Sequence, residues 1–217
     1  MLIGILALQG DVAEHQAALA ALGAETRLVR LPHQLQDIDG LIIPGGESTT
    51  MALLLDRYRL RQPLLARLTG GMPAWGTCAG MVLLARRLTD DRPRPLGVID
   101  MVVSRNAFGR QVESFETDLV VAGIGEDPLH AVFIRAPAVV ATGPATTVLA
   151  RLPDGCAVAV QHGPHLATAF HPELTPDRRL HRHFLRSVGH AMQRDRRALP
   201  AGSLAALGTP PGSTTGC

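Results

Sequence analysis

The 217-residue chain is 46% hydrophobic and 18% charged, which is enough apolar material for one domain with a buried core. All 21 positions that hold lysine or arginine are arginine, so the chain cannot form a lysine Schiff base or place a Walker lysine on a phosphate. A formal net charge of +2 and an aromatic content of 3% give no electrostatic or stacking argument for a nucleic-acid or membrane partner.

The first 90 residues predict a strand, a glycine turn and a helix three times over. The apolar runs that are typical of buried parallel strands lie at residues 2–8, 40–43 and 72–75. Helices are expected after Asp11, which has capping-box spacing to Glu14, after Ser48 or Thr49 as N-cap, and over residues 79–88. This alternation predicts an α/β fold, a three-layer and mostly parallel sheet flanked by helices, with functional residues at the carboxyl ends of the strands.

After residue 93 the pattern changes to short apolar runs separated by glycine, proline and aspartate, which predicts an antiparallel section on the same core. These predicted strands lie at residues 98–103, 117–121, 131–134, 147–152, 157–161 and 166–170. The Thr-Pro pair at 175–176 predicts the start of a last helix, with proline at its first position. In that helix Leu180, Phe184, Val188 and Met192 recur every four residues and form one apolar stripe.

One domain is expected over residues 1–197, followed by a disordered tail at 198–217 that is rich in alanine, glycine, serine, threonine and proline. The apolar N-terminal run is too short to span a bilayer and lacks the basic segment and cleavage site of a signal peptide. The three cysteines are widely spaced and form no Cys-x-x-Cys pair, which favours a reducing compartment. We therefore expect a cytoplasmic protein.

The sharpest local motif is Gly-Thr-Cys-Ala-Gly at residues 76–80, between a predicted strand and a predicted helix. It has the form of a nucleophile elbow, in which flanking glycines permit a turn that presents Cys78 above the sheet. The helix N-terminus favours the thiolate, and the Ala79 N–H points to where an oxyanion would form. The alternative is a buried free cysteine without a catalytic role, as most lone cysteines are.

His-Pro-Glu at residues 171–173 follows the predicted strand 166–170 and supplies a candidate base. Proline favours an extended conformation for His171, and residues two apart in an extended segment face the same way. Glu173 could therefore orient the imidazole of His171 and complete a Cys–His–Glu triad with Cys78. Taken alone, the tripeptide is better explained as a turn between a strand and a helix, and only the elbow favours the catalytic interpretation.

Pro-Gly-Gly-Glu-Ser at residues 44–48 follows the predicted strand 40–43. Its glycines expose backbone N–H groups, which suits an anion or the second half of an oxyanion hole. A phosphate-binding P-loop is excluded because its lysine is missing. The plain alternative is an ordinary tight turn.

With these motifs the chain resembles the triad (class I) glutamine amidotransferases, and within them the glutaminase subunits of pyridoxal 5′-phosphate synthases. The resemblance covers residues 2–193 and rests on the elbow, on His-Pro-Glu and on motifs more particular to the subfamily. Those motifs are Leu-Gln-Gly-Asp (8–11), Pro-Gly-Gly-Glu-Ser-Thr-Thr (44–50), Arg-Asn-Ala-Phe-Gly-Arg-Gln (105–111) and Phe-Ile-Arg-Ala-Pro (133–137). The resemblance implies the flavodoxin-like fold of class I glutaminases.

The resemblance also implies residue roles. Cys78 would attack the side-chain amide of L-glutamine and form a glutamyl thioester with release of ammonia. His171 would transfer the proton, Glu173 would hold His171, and water would release glutamate. The oxyanion donors would be Gly46 and Ala79. The residues implied in the glutamine pocket are Gly46, Glu47, Ser48, Arg105, Ile134 and Arg135.

A partner is implied as well, a (β/α)8-barrel synthase subunit that uses the ammonia to build pyridoxal 5′-phosphate (vitamin B6) in a heteromeric complex. Gln9, Gly10 and the first helix are expected at that interface, where docking would complete the oxyanion hole. No cofactor and no metal are expected in this chain. Since the chain has no lysine, any imine-forming lysine of the pathway would belong to the partner. His162 and His165 depart from the subfamily pattern and are interpreted as surface groups.

Two other functions stay open on the sequence. One is a cysteine or γ-glutamyl hydrolase that works without a partner, for which activity of the isolated chain on γ-glutamyl peptides would argue. The other is a non-catalytic binding or regulatory module on the same scaffold. The intact triad argues against such a module, and failure of a glutamine-analogue electrophile to label Cys78 would argue for it.

Overall fold

The computed structural model describes residues 1–105 and 114–198. Of the motif at 105–111 it therefore describes Arg105, and residues 106–111 lie outside the described residues. The predicted tail also lies outside them, apart from Ala198, which is the last residue of a helix. The domain boundary at residue 197 and the disorder of the tail stay predictions.

Strands and helices alternate in the first half of the chain, and strands dominate the second half. The strands are β1 (Leu2–Leu6), β2 (Glu25–Val29), β3 (Gly40–Ile43), β4 (Ala74–Thr77), β5 (Ala85–Leu88), β6 (Ile99–Ser104), β7 (Ser114–Leu119), β8 (Leu129–Ile134), β9 (Ala138–Thr142), β10 (Thr146–Arg151), β11 (Ala157–His162) and β12 (His165–Thr168). The helices are α1 (Val12–Ala20), α2 (Ser48–Arg57), α3 (Arg61–Thr69), α4 (Ala79–Leu84) and α5 (Arg179–Ala198). Short 3-10 turns lie at Pro32–Leu35 and Pro172–Leu174.

Within the described residues, ten strands form one mixed sheet in the order β2-β1-β3-β4-β12-β11-β9-β6-β5, with β10 paired to β11. The strands from β2 to β12 in this order pair in parallel, and the order 2-1-3-4 followed by one more strand is that of flavodoxin-like folds. Beyond β12 the ladders through β11, β9 and β6 are antiparallel, and β7 and β8 form a separate hairpin. The predicted α/β sheet with an antiparallel section is confirmed.

Helices cover both faces of the parallel part, as the side chains of β4 demonstrate. Trp75 and Thr77 point to one face, where the Trp75 ring lies 4.8 Å from the ring of His181 on α5 and Thr77 contacts α1. Gly76 points to the other face, where a Cβ on it would lie 2.4 Å from the backbone of Gly80 on α4. Alternation along the strand therefore separates α1 and α5 from α4 by the thickness of the sheet.

Two predicted helix caps are wrong. Asp11 precedes α1, but its side chain makes no capping hydrogen bond, and its carboxylate lies instead 3.2 Å from His171 Nδ1. α2 is capped by Glu47 and not by Ser48 or Thr49. The Glu47 carboxylate oxygens accept hydrogen bonds from two N–H groups of the first turn, at 2.9 and 2.6 Å. A glutamate side chain is long enough to reach both groups from one residue earlier than predicted.

The helix predicted over residues 79–88 is wrong in its second half. It ends at Leu84, because residues 85–88 form β5 and pair in parallel with β6. Three further elements, β2, β9 and α3, have no counterpart among the predicted elements. For the strands β2, β5 and β9, pairing with other strands of the sheet therefore decided what the local pattern did not.

The last helix begins at Arg179 and not at 176, and a 3-10 turn at Pro172–Leu174 precedes it. Its apolar stripe is confirmed by the complete or near-complete burial of Leu180, Phe184 and Val188. No helix in residues 1–105 and 114–198 is both long enough and apolar enough to cross a membrane.

Candidate active site

Cys78 lies in a strained turn between β4 and α4. Its φ of 47° and ψ of −102° lie outside the regions usual for a residue with a side chain, as in a nucleophile elbow. Its N–H donates to the carbonyl oxygen of Thr168 at 2.8 Å, which fixes the turn to the end of β12. A Cβ at Gly80 would lie 2.0 Å from the carbonyl oxygen of Ile43, so α4 can approach β3 this closely only with glycine there.

The Cys78 sulfur is surrounded by backbone and by the candidate base. Cys78 is 7% exposed, and its Sγ lies 3.8 Å from the carbonyl oxygen of Ile134 at the end of β8. Cys78 and His171 line the same pocket, and the Cys78 side chain acts to raise the pKa of His171. Ala79 is the first residue of α4, and N–H groups in the first turn of a helix have no partner within it. The thiol thus shares its pocket with the candidate base and has, next along the chain, an N–H available to an oxyanion.

His171 and Glu173 form a buried pair. His171 Nδ1 donates to Glu173 Oε1 at 2.8 Å, and 5% and 0% of the two side chains are exposed. The predicted contact is present, but the predicted extended geometry is wrong, because Pro172–Leu174 forms a 3-10 turn. The His171 N–H donates to the carbonyl oxygen of Val132 at 2.9 Å, which ties this turn to β8. The Glu173 carboxylate therefore reaches the His171 imidazole because the chain makes a tight turn, and not because side chains alternate along a strand.

Asp11 is a site residue that the sequence analysis missed. Its Oδ2 lies 3.2 Å from His171 Nδ1, and its side chain is 33% exposed. Its N–H donates to the carbonyl oxygen of Gly45 at 3.2 Å, which joins the end of β1 to the turn after β3. A signal was available, because Leu-Gln-Gly-Asp follows β1 and the carboxyl ends of parallel neighbours such as β1 and β3 lie side by side.

The surroundings of His171 raise its pKa to about 12. Burial, the largest influence, acts to lower it, but hydrogen bonds to Asp11 and Cys78 and the hydrogen bond and charge of Glu173 outweigh burial. Burial raises the pKa of the Glu173 carboxyl, while the hydrogen bond and charge of His171 oppose that rise. At neutral pH His171 is therefore an imidazolium, and its Nδ1–H points at the buried carboxyl group of Glu173.

A pocket of about 360 Å³ opens beside Cys78 and His171. The residues expected to bind glutamine all line it, namely Gly46, Glu47, Ser48, Arg105, Ile134 and Arg135. Ala79, the second expected oxyanion donor, also lines it, as does Gln9, which was expected at a partner interface. Asp11, Val82 and Pro137 complete the lining and were not expected there. The predicted site residues that line the wall thus come from five separate stretches of the chain.

Glu47 brings a fixed negative charge to the pocket wall. Its carboxylate caps α2, and although partial burial acts to raise its pKa, hydrogen bonds from Thr50 and Thr49 lower the pKa of Glu47 to about 2. Its N–H donates to Gln9 Oε1 at 2.8 Å. A carboxylate that stays ionised at this wall suits a cationic group of a ligand.

Arg105 brings a positive charge to the pocket wall, and its neighbours hold the guanidinium in place. Its Nε donates to Asp90 Oδ2 at 3.0 Å, and its Nη1 donates to Thr49 Oγ1 at 3.2 Å. Hydrogen bonds from Thr89 and Arg105 lower the pKa of Asp90, so this carboxylate stays ionised. A guanidinium has five N–H donors, so these two contacts leave it able to bind an anion in the pocket.

Asp11, His171 and Glu173 also form a group whose ligand atoms lie within 4.8 Å of one another, close enough to share a metal ion. A metal ion between them would compete with the proton on His171 Nδ1 that both carboxylates face. A ligating histidine must be neutral, whereas the surroundings of His171 strongly favour its protonated form. The arrangement therefore suits proton transfer.

His162 and His165 are cross-strand neighbours in β11 and β12. The interpretation of both as surface groups is wrong for His165, which is buried, and burial lowers its pKa to about 4. His162 is partly buried, and its Nδ1 forms a hydrogen bond of 2.9 Å with Thr146 Oγ1. Neither histidine lines the pocket beside Cys78.

Fold and site together define a class, the α/β proteins that carry a cysteine on an elbow, a histidine and a carboxylate at the carboxyl ends of parallel strands. Within that class, the model of the SNO glutamine amidotransferase family matches residues 5–190. The chain belongs to the SNO glutamine amidotransferase family.

Individual relatives cover nearly the same stretch. Pyridoxal 5′-phosphate synthase subunit PdxT from Roseiflexus sp. (strain RS-1) is 56% identical over 188 residues, which cover 85% of this chain and 99% of the relative. The protein of the same name from Saccharopolyspora erythraea is 55% identical over 205 residues, covering 86% and 94%. A crystal structure of a glutamine amidotransferase matches with a TM-score of 0.81 at 47% identity, over 86% of this chain and 98% of that chain.

Proposed function

We propose that the chain hydrolyses L-glutamine to L-glutamate and ammonia and supplies the ammonia for pyridoxal 5′-phosphate synthesis. The observation that carries the proposal is Cys78 on its elbow, in one pocket with a His171 whose Nδ1 donates to Glu173 at 2.8 Å. Membership of a glutamine amidotransferase family supports the substrate. The two relatives described above are named as subunits of pyridoxal 5′-phosphate synthase, which supports the pathway.

In the proposed mechanism His171 already carries the proton of the Cys78 thiol, and the thiolate attacks the side-chain carbonyl carbon of glutamine. The N–H groups of Gly46 and Ala79 stabilise the oxyanion. As the C–N bond breaks, His171 gives its proton to the leaving nitrogen, so ammonia departs and a glutamyl thioester stays on Cys78. Water then adds to the thioester with His171 as base, and glutamate leaves as the thiolate is restored.

Glutamine recognition is assigned to the two charged walls of the pocket. The guanidinium groups of Arg105 and Arg135 suit the α-carboxylate of the substrate, and the ionised Glu47 suits its α-ammonium group. Ser48 and the backbone of Ile134 line the remaining surface, next to the sulfur. This division of charge selects a free amino acid, because a peptide bond at either group would remove one of the two charges.

The partner that receives the ammonia is proposed to be a (β/α)8-barrel synthase subunit that docks over Gln9, Gly10 and α1. Gln9 supports this position because it lines the pocket and accepts a hydrogen bond from the N–H of Glu47, so contact at Gln9 would reach the oxyanion turn. Because the chain has no lysine, imine formation is left to the partner. We expect the complex to form in the cytoplasm, without nucleic acid or membrane.

The test is glutamine-dependent glutamate release by the chain mixed with the synthase subunit of the same source. Cys78→Ala and His171→Asn should each reduce kcat by at least roughly 10³-fold, because they remove the nucleophile and the base. Cys156→Ala is the matched control, since this partly buried cysteine lies in the turn before β11, outside the pocket. Near-normal activity in either site variant would rule out the proposed mechanism.

Two other outcomes would redirect the proposal. Full turnover of γ-glutamyl peptides by the isolated chain would indicate a hydrolase that needs no partner. Failure of diazo-oxo-norleucine to label Cys78, with or without the synthase subunit, would indicate a non-catalytic module. Glutamine-dependent formation of pyridoxal 5′-phosphate by the mixture is the expected result.

A further inference from the structure

A second polar cluster lies in the core behind the active site, between α1, β4 and α5. It consists of His15, Thr77 and His181, each 0% exposed. His15 Nδ1 lies 3.1 Å from His181 Nε2, and His15 Nε2 lies 3.2 Å from Thr77 Oγ1. Thr77 Oγ1 in turn lies 3.5 Å from Glu173 Oε1. The cluster therefore connects the carboxylate that holds the candidate base to the far helix.

Both imidazoles of the cluster are neutral. Burial, with the charges of His181 and His171 acting in the same direction, lowers the pKa of His15 well below its usual value. Burial and the charge of Arg178 lower the pKa of His181 to about 3. Each ring therefore carries one proton, on one of its two nitrogens.

The contacts of the cluster select one arrangement of these protons. His181 Nε2–H donates to His15 Nδ1, His15 Nε2–H donates to Thr77 Oγ1, and the Thr77 hydroxyl donates to Glu173. His181 Nδ1 is then a bare lone pair, and it has no hydrogen-bond partner among the described residues. The reverse arrangement would leave a buried N–H at that nitrogen and no hydroxyl donor for Glu173, which costs more.

Glu173 needs donors on the side away from His171. Its Oε1 accepts from His171, but its Oε2 is buried without a hydrogen-bond partner in the part of the chain that the structure describes. His15 Nε2 lies 3.5 Å from this oxygen. Because a buried carboxylate is stable only when donors surround it, the His15 N–H between Thr77 and Glu173 is the group that can serve both.

We propose that His15 is a positioning residue whose Nε2–H holds the Glu173 carboxylate, both through Thr77 and directly. The proposal rests on the proposed function, because Glu173 acts on glutamine only through His171. His181 determines which nitrogen of His15 carries the proton. The hydrogen bonds run in one direction, from α5 through α1 and β4, and meet the bond from the catalytic imidazole at the carboxylate.

A core-packing role alone predicts less than this. The His15 ring packs edge-on against Trp75 at 5.6 Å, so it also fills space, and substitutions at this position are expected to lower stability. A positioning role predicts in addition that the titration of the active site changes, and that the change depends on a donor at the Nε2 position. The titratable groups facing Glu173 are His171 on its own turn, Asp11 before α1 and His15 in α1.

The test compares His15→Gln with His15→Asn in the full chain bound to the synthase subunit. The glutamine amide nitrogen occupies the position of Nε2 and keeps the donor, whereas asparagine is one bond too short to reach Thr77. We expect His15→Asn to reduce kcat roughly 10- to 100-fold with little change in KM, as loss of a supporting hydrogen bond does elsewhere. His15→Gln should stay within about threefold of the unmodified chain.

A second measurement needs no glutamine. The rate of Cys78 alkylation by iodoacetamide, followed against pH, reports the thiolate that His171 and Glu173 maintain. Loss of a donor raises the pKa of Glu173, so in His15→Asn the acid limb should move to higher pH by about one unit. His15→Gln should restore it. If this shift occurs and glutamine hydrolysis does not, the proposed function fails while the positioning role stands.

His165→Asn is the matched control, because His165 is another buried neutral histidine and contacts neither Thr77 nor Glu173. It should lower stability without moving the alkylation profile. Should His15→Asn fail to fold, Thr77→Val and Thr77→Ser repeat the comparison, since only serine keeps the hydroxyl. Equal losses in the donor-keeping and donor-lacking variants, an unshifted profile in both, or the same shift in His165→Asn would overturn the proposal.

Discussion

Two carboxylates face the same nitrogen of His171 from different regions of the fold. Glu173 lies in the buried 3-10 turn after β12, with its side chain 0% exposed and its Oε1 2.8 Å from Nδ1. Asp11 lies after the end of β1, 33% exposed, with its Oδ2 3.2 Å from the same atom. Nδ1 carries one proton, so the two carboxylates compete for a single hydrogen bond.

The two carboxylates differ in their other contacts and in their exposure to solvent. Glu173 is backed by Thr77 and His15 in a core that excludes solvent, whereas water competes for Asp11. The Asp11 hydrogen bond does contribute to the raised pKa of His171. Because that pKa lies far above neutral, one contribution can be lost without changing the charge of the imidazole at pH 7. Distance from His171 alone therefore does not show which carboxylate matters more for catalysis. The contacts of each carboxylate with the rest of the protein do.

The largest effect should follow from Glu173→Gln. The amide has nearly the same shape but no charge, so it no longer stabilises the imidazolium and can favour the wrong tautomer of His171. We expect kcat for glutamine hydrolysis with the synthase subunit to fall by roughly 10³-fold, with a KM close to normal. Thermal unfolding of the variant checks that the fold persists. A smaller loss than in Asp11→Asn would reverse the comparison between the two carboxylates.

His165 is a buried histidine whose pKa is shifted in the opposite direction from that of His171. Burial holds the pKa of His165 at about 4, while the unfolded chain takes up a proton near pH 6.5, so stability present at neutral pH is lost as the pH falls between these values. Between pH 7 and pH 5 the loss from this group is about 2 kcal/mol. Urea unfolding at the two pH values should therefore show a smaller decrease in His165→Leu. An unchanged pH dependence would mean that His165 titrates normally in the folded chain.

Glu47 shows what hydrogen bonding does for an exposed carboxylate, since it is more exposed than Asp11 but accepts two backbone N–H bonds. Glu47→Ala should reduce the free energy of unfolding by about 1 kcal/mol, the usual cost of a lost N-cap. Urea unfolding at neutral pH measures this cost. Glu47→Asp is the control that keeps the charge and can cap in the usual way. Equal stability of the alanine variant and the unmodified chain would contradict the capping role.

Asp11→Asn should have the smallest effect. Ion pairs that solvent reaches contribute about 0.2–1 kcal/mol, and solvent reaches the partly buried Asp11, so kcat should fall by no more than about fivefold. Removing one carboxylate lowers the pKa of His171 and so weakens the imidazolium that stabilises the thiolate, and the acid limb of the Cys78 alkylation profile should move slightly to higher pH. Raising the ionic strength should diminish the difference from the unmodified chain, because Asp11 is partly open to solvent and its charge is screened by salt. A salt-independent loss would indicate that Asp11 is as well supported as Glu173.

The sequence was sufficient to predict the structure where the local geometry permits only one backbone conformation. The glycines around Cys78 predict the elbow because a Cβ at Gly80 would collide with β3. The helix caps were not predictable in the same way, since Asp11 and Glu47 both offer a carboxylate at a helix start. Only the fold brings Asp11 to His171, and leaves Glu47 free to cap α2.

The role proposed for His15 could not be predicted from local sequence patterns. In the sequence it is an ordinary residue of the first helix, and its hydrogen-bond partners lie 62 and 166 positions away. No periodicity or short motif joins positions so far apart. The carboxylate at Glu173 was predicted from a spacing of two residues, although the geometry that realises it is a 3-10 turn. The contact between His171 and Glu173 was therefore predictable, but the turn that produces it was not.

Trp75 is the single tryptophan of the chain, and its ring packs edge-on 4.8 Å from His181 and 5.6 Å from His15. An indole in contact with two imidazoles is an intrinsic optical reporter, because protonation of either ring quenches its fluorescence. Emission recorded during acidification would follow these histidines without any added label. Since no other residue of the chain absorbs at the red edge of the indole band, the whole signal comes from the core behind the active site. Trp75 fluorescence thus reports the protonation of His15 and His181.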